Sequence, residues 1–250
     1  MNILARPIFF LSDFGTRDVY AGVVEAVILA IAPSARVVHL THGIPPHDVR
    51  NASWQLFAAA PHLPRGSIVL AVVDPGVGSS RRALVVETER LLYVAPDNGL
   101  LEAALSIDPP LRAFALEEPR FRLPEVSSTF HGRDVFGPAA AHLSRGIDPA
   151  ALGPPVGELA RMGLVPTRER RGVVWTFDRF GNAITTLVSA DARALRAGGR
   201  AIPFARTYAD VPKGAPLALA GSSGLVEISV RDGSARDALG LAEGEPVELS

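Results

Sequence analysis

Short continuous apolar runs alternate with longer stretches of helical period through the first two-thirds of the chain. "PIFFL" is apolar throughout and too short for a helix, which predicts a buried strand. "VYAGVVEAVILAIAP" has helical length and stops at Pro33. "ARVVHL" predicts a second strand, and "DVRNASWQLFAAA" a second helix with Asp48 placed to cap it. Three strands follow in "SIVLAVV", "ALVVET" and "LLYVAP". "NGLLEAAL" reads as a helix, and "GRDVFGPAAAHLSRG" as another, bent or begun at Pro138. Such alternation predicts an α/β fold: a largely parallel sheet with flanking helices.

The texture changes over residues 148–172, where "DPAALGPPVGELARMGLVPTRERRG" is rich in Pro, Gly and charge. Beyond it come short segments of strand character: "GVVWTFD", "NAITTLV", "RAIPFA", "PLALAG", "LVEISV" and "EPVELS". Gly and Pro turns between them predict a smaller, antiparallel, β-barrel-like domain. The expected division is an α/β domain over 1–160, a linker over 161–171 and a β domain over 172–250.

Composition narrows the chemistry. A formal net charge of −1 over 250 residues argues against nucleic-acid binding, which needs a basic face. Cysteine is absent, which removes disulfides, thiolate catalysis and cysteine metal sites. Lys213 is the sole lysine and lies in a turn-like "VPKGAP", so Schiff-base and Walker-type chemistry are not expected. The apolar run in "MNILARPIFFLSDFG" is too short for a signal peptide, and no window reaches the roughly 18 apolar residues of a membrane span. A cytoplasmic protein with no membrane partner is expected.

In an open α/β sheet, ligands bind beyond the carboxyl ends of the strands. "SDFGTRD", "THGIPPHD" and "DPGVGSSRR" each follow a predicted strand and each carries an aspartate. A fourth polar segment, "FHGRD", precedes a helix. Asp13 is either a turn aspartate or a carboxylate that accepts ribose hydroxyls. "DPGVGSSRR" is a strand-exit turn, a phosphate cradle or a catalytic loop. The cradle is weak, because Arg81-Arg82 leads into a strand pattern rather than a helix. The catalytic reading sets Asp74 across the turn from Arg81, each modifying the other's charge. His131, flanked by Phe130 and Gly132, reads as structural or catalytic. The six histidines are scattered without a helical His pair; Asp and His at strand ends keep a metal site as a rival, although none is expected. "FDRFGNAITT" and "AGSSGLVEIS" read by themselves as turns, the first a hairpin about Gly181-Asn182.

Taken together, "LSDFGTRDVYAG", "THGIPPHDV", "VVDPGVGSSRR", "APDNGLL", "FHGRDVF", "DRFGN" and "GSSGLVEIS" occur in an order that resembles the S-adenosyl-L-methionine (SAM) hydroxide adenosyltransferases. These are the hydrolase branch of the superfamily that includes the fluorinating and chlorinating enzymes. The resemblance runs over essentially the whole chain. It implies hydrolysis of SAM to adenosine and L-methionine by water attacking the 5′ carbon, with SAM as substrate and no cofactor. It also implies a homotrimer with active sites between subunits. By the same resemblance, Asp74, Arg81 and His131 would activate water, and Asp13 would hold the ribose. Asp178 would meet the methionine ammonium, Ser222 its carboxylate, Asn182 the adenine and Tyr208 the adenine face. Glu227 belongs to the same C-terminal motif as a further substrate-binding position.

The halogenating enzymes carry a threonine-containing loop in place of Asp-Pro-Gly-Val-Gly, an insertion before the segment matching "YVAPDNGLL", and a tryptophan near the substrate. This chain keeps Asp74 to Gly78, joins Arg82 to Tyr93 through ten residues, and has His47 at the tryptophan's place. The resemblance therefore favours water over halide. A halide adenosyltransferase and a non-catalytic adenosine- or SAM-binding protein are the alternatives.

Overall fold

Continuous apolar strands flanked by amphipathic helices build the first part of the molecule. In the computed structural model, which describes residues 5–188 and 192–250, the chain divides into two compact units, Met1–Gly163 and Leu164–Ser250.

The first unit begins with β1 (Ile8–Ser12), α1 (Tyr20–Ile31), β2 (Val37–Thr41), α2 (Val49–Ala59) and β3 (Ile68–Val72). There follow β4 (Ala83–Thr88), β5 (Leu92–Pro96), α3 (Glu102–Ile107), β6 (Pro110–Ala115) and α4 (Gly137–Ser144). Asp48 caps α2, its carboxylate accepting from Asn51 N. The sheet order is β2-β1-β3-β5-β4-β6. Its β2, β1, β3 and β5 strands run parallel, whereas β4 pairs antiparallel with both β5 and β6. The sheet is therefore mixed, with antiparallel pairing confined to one side. Its physical cause is the short Glu89-Arg90-Leu91 connection, which only an antiparallel pair can use.

Every residue of β3 and β5 is buried, as strands covered on both faces require. One face packs Ile8, Phe10, Leu70 and Val72 against Val24 and Ile28 of α1 and Ala139 and Leu143 of α4. The other packs Val69, Ala71 and Tyr93 against Leu56 of α2 and Ala104 of α3. Residues Gly132–Phe136 form a π-helical turn ahead of α4, with Pro138 in the first helical turn that follows.

The second unit holds β7 (Arg171–Phe177), β8 (Ala183–Val188), β9 (Ala194–Ala197) and β10 (Arg200–Pro203). β11 (Pro216–Ala220), β12 (Leu225–Val230), the short α5 (Ala235–Leu239) and β13 (Pro246–Leu249) complete it. The antiparallel order is β10-β9-β13-β7-β8-β12-β11. Phe204, just beyond β10, bridges Ala218 of β11, so the edge strands meet and nearly close a barrel. Within the stretch read as a linker, Thr167 bridges Leu187 of β8.

No helix among the described residues is long and apolar enough to cross a membrane.

Candidate active site

Because β1 and β3 are parallel neighbours with Ser12 opposite Val72, the loops that leave them emerge at one edge of the sheet. Asp13 stands one residue past β1 and Asp74 two residues past β3. The Asp74 loop is a tight turn in which Val77 N donates to Asp74 O and Ser79 N to Gly76 O. It leads directly into β4, so the phosphate-cradle reading fails for want of a helix.

The turn brings Arg81 back over Asp74 as a two-pronged ion pair. Nε donates to Oδ1 at 2.8 Å, and Nη2 donates to Oδ2. Both side chains are nearly buried, at 11% and 6% exposure. The guanidinium lies 5.2 Å from the centre of the Phe136 ring, which is itself buried. Nη2 also meets His131 Nδ1 at 2.8 Å, although fifty positions separate the two residues. A guanidinium has no acceptor, so Nδ1 of His131 receives the hydrogen bond and the proton of the neutral imidazole sits on Nε2. Burial first, and the Arg81 charge second, hold the His131 pKa below the ordinary histidine value. Asp74, Arg81 and His131 therefore form one connected cluster.

Two local devices hold His131 against this loop. Buried Asp134 accepts from Ser127 N at 2.8 Å and pairs with Arg133, which fixes the chain on either side of the histidine. Gly132 lets the Phe14 ring approach, since a Cβ there would lie 2.9 Å from that ring. Sequence reasoning missed Phe136, Asp134 and Asn98, whose Nδ2 donates to Val73 O beside the aspartate at 2.9 Å. The "APDNG" and "GRDVF" segments held that signal, but as local turn and helix patterns.

Asp13 lies on a neighbouring loop, where Oδ2 accepts from His47 N at 2.8 Å. His47 takes a left-handed backbone conformation with φ of 66°, and its amide thereby faces the carboxylate.

The remaining candidates belong to the second unit. Asp178 opens the turn between β7 and β8, accepting from Phe180 N and Asn182 N through Oδ1 and from Asn182 Nδ2 through Oδ2, each at 2.9 Å. The hairpin reading of "FDRFGN" is thus physically real, and it joins Asp178 to Asn182. Tyr208 donates its hydroxyl to Glu227 Oε1 at 2.7 Å, and Ser229 donates to the same oxygen. Burial, followed by that hydrogen bond, raises the Tyr208 pKa, and the Asp178 charge adds to the shift. Ser222 is exposed in the turn closed by Gly224 N on Gly221 O. Among the described residues no three His, Asp or Glu side chains gather as a metal-ligand group.

Models of the SAM hydroxide adenosyltransferase N-terminal and C-terminal domains match residues 8–153 and 172–248. The chain belongs to this family. A relative from Thermus thermophilus, named (R)-S-adenosyl-L-methionine hydrolase, is 55% identical over 98% of this chain and 99% of its own. A crystal structure of a conserved hypothetical protein from Thermus thermophilus is 53% identical. It superposes with a TM-score of 0.89 over 98% of this chain and all of the other. A fluorinase from Nocardia brasiliensis stands further off, at 23% identity over 95% of this chain and 92% of its own.

Proposed function

We propose that this chain hydrolyses SAM to adenosine and L-methionine, with the Asp74–Arg81–His131 cluster activating the attacking water. The observation that carries the reading is Arg81 itself, clamped on Asp74 and donating to His131 Nδ1. Membership of a family whose Thermus relative is named a SAM hydrolase supplies the substrate.

The sulfonium is a ready leaving group, since its departure converts a cation into a neutral thioether. Water is the weak partner, with a bulk pKa of about 15.7. His131 offers Nε2–H as a donor to the water oxygen, because Arg81 already occupies its Nδ1 lone pair. The proton acceptor is then Asp74, whose oxygens keep lone pairs beyond those that face Arg81. The oxygen–carbon bond forms as the carbon–sulfur bond breaks, the electron pair goes to sulfur, and one water proton passes to Asp74. Hydroxide-like oxygen meeting a sulfonium merges opposite charges, so a site that excludes water favours the step. Asp13 holds the ribose hydroxyls. Asp178 and Ser222 hold the amino-acid end, Asn182 and Tyr208 the adenine end, and Glu227 is a further substrate-binding position. In this reading residues 1–160 carry water activation, and residues 172–250 the adenine and methionine contacts. The enzyme works in the cytoplasm as a homotrimer with sites at subunit interfaces.

Incubation with SAM, followed by chromatography, is expected to yield adenosine and methionine above a boiled-protein blank. Formation of a 5′-halo nucleoside with added fluoride or chloride, in place of adenosine, would overturn the choice of nucleophile. Tight SAM binding without any product would overturn the enzymatic reading. Loss of activity to a chelator would favour metal-assisted hydrolysis, and sedimentation of the purified protein tests the trimer.

Acid also has a defined effect. Protonated His131 carries N–H on both nitrogens and can no longer accept from Arg81. Because the His131 pKa is lowered, kcat is expected to hold down to about pH 6.5, the ordinary histidine value, and to fall only below it. A pH–rate profile whose acid limb already falls between pH 7 and 8 contradicts this assignment.

A further inference from the structure

A chain of four hydrogen-bonded side chains runs beside the Asp13 turn and takes no part in the water-activating cluster. Ser12 Oγ lies 2.7 Å from His42 Nδ1, His42 Nε2 lies 2.7 Å from His39 Nδ1, and His39 Nε2 lies 3.2 Å from Glu25 Oε2. Ser12 is fully buried and His42 nearly so, whereas His39 and Glu25 reach solvent. The donors can be assigned from the outer end inwards. A carboxylate accepts, so in the neutral ring His39 Nε2 carries the proton and His39 Nδ1 accepts. His42 Nε2 then donates, and His42 Nδ1 accepts from the Ser12 hydroxyl. Burial and the neighbouring His39 lower the His42 pKa, in keeping with a neutral imidazole there.

The inner end of this chain grips the Asp13 turn at two points. Ser12 Oγ, oriented by His42, accepts from Phe14 N at 3.2 Å. The His42 carbonyl accepts from Gly15 N at 2.8 Å, where Gly15 has a left-handed φ of 69°. Asp13 therefore sits between two residues that His42 holds, while His47 N fixes one of its own oxygens. An apolar residue at position 42 would preserve the backbone bond to Gly15 and lose the orientation of Ser12. A buried histidine, backed in turn by a His39–Glu25 pair that reaches solvent, is more than closing a turn requires, and the line ends on the serine next to Asp13.

We propose that Ser12, His42, His39 and Glu25 are positioning residues for Asp13, holding its carboxylate at the angle that receives a ribose diol. The inference rests on the reading of Asp13 as the ribose anchor, and the test separates the two. Calorimetric affinities of the full chain for adenosine and for 2′,3′-dideoxyadenosine isolate the hydroxyl contribution. Asp13→Asn is expected to weaken adenosine and leave the dideoxy compound unchanged. His42→Phe is expected to weaken adenosine about tenfold, the scale of one lost buried hydrogen bond, and to leave the dideoxy compound within about twofold. His42→Asn, whose Oδ1 replaces Nδ1 as acceptor for Ser12, is expected to recover most of the adenosine affinity.

If Asp13→Asn discriminates between the ligands and His42→Phe does not, the positioning role is wrong and the ribose reading stands. If Asp13→Asn fails to discriminate, the ribose reading falls and takes this inference with it. Equal weakening of both ligands by His42→Phe, or a His42→Asn variant no better than His42→Phe, also overturns the positioning role. Melting temperatures establish that each variant is folded, and His42→Asn keeps the test decisive if the phenylalanine variant is not.

Discussion

Arg81→Lys is expected to lower kcat for SAM hydrolysis by roughly 10³-fold while KM changes by no more than about threefold, the pattern of a lost transition-state interaction. The guanidinium performs three tasks at once: it donates to both oxygens of Asp74, it donates to His131 Nδ1, and it lies over the Phe136 ring. A lysine ammonium keeps the charge but has no planar fork, so it cannot hold the carboxylate and the imidazole in one geometry. Retaining the charge matters to the design of the experiment. Alanine would leave Asp74, 6% exposed, as an uncompensated buried carboxylate and would destabilise the fold by about 3–5 kcal/mol. Lysine avoids that loss, so unchanged melting with collapsed kcat isolates the geometric role. A lysine variant that retains more than a tenth of wild-type kcat would falsify the assignment of Arg81 as the organiser of the cluster.

Gly78→Ala is expected to cost about 10² in kcat, the scale of an ångström-sized misplacement of reacting groups. Gly78 has a φ of +76°, and a Cβ there would run into the carbonyl of Ser128, so the loop carrying Asp74 and Arg81 would have to part from the segment leading to His131. The strain of the left-handed backbone angle itself is roughly 1–2 kcal/mol and says nothing about activity. Gly66→Ala supplies the control. Its φ is +79°, yet a Cβ there meets no atom within 4 Å. In thermal melts Gly66→Ala is expected to lose only the strain of the angle and to keep its turnover, whereas Gly78→Ala loses more stability, from the clash with Ser128, and its turnover as well. Equal kcat for both would mean that the approach of the two loops does not set the cluster's geometry.

Much of this arrangement could be read along the chain. The apolar runs that became β1, β3 and β5 are legible because strands covered on both faces read as near-continuous apolar runs. Two strands escaped. In β6, "PLRAFA" opens on proline and is exposed over its first three residues, so it lacks an apolar signature. In β9, "ALRA" is too short to display a period. The five-residue α5 escaped for the same reason, although Ser234 caps it at Asp237 N. The antiparallel setting of β4 follows from its short connection to β5 rather than from the strands' composition.

Sequence by itself determined the strand-end polar clusters and the hairpin about Gly181-Asn182, and offered the Asp74–Arg81 approach as one reading of the loop, because all of these are local and turn chemistry is local. The ordered motifs further determined the family to which the chain belongs. Tertiary structure alone decided that His131 meets Arg81 through Nδ1, and therefore which nitrogen keeps the proton. It alone aligned Glu25, His39, His42 and Ser12 into a line ending beside Asp13. Hydrogen-bond direction depends on which atom faces which across folded distance, and no periodicity along the chain encodes that.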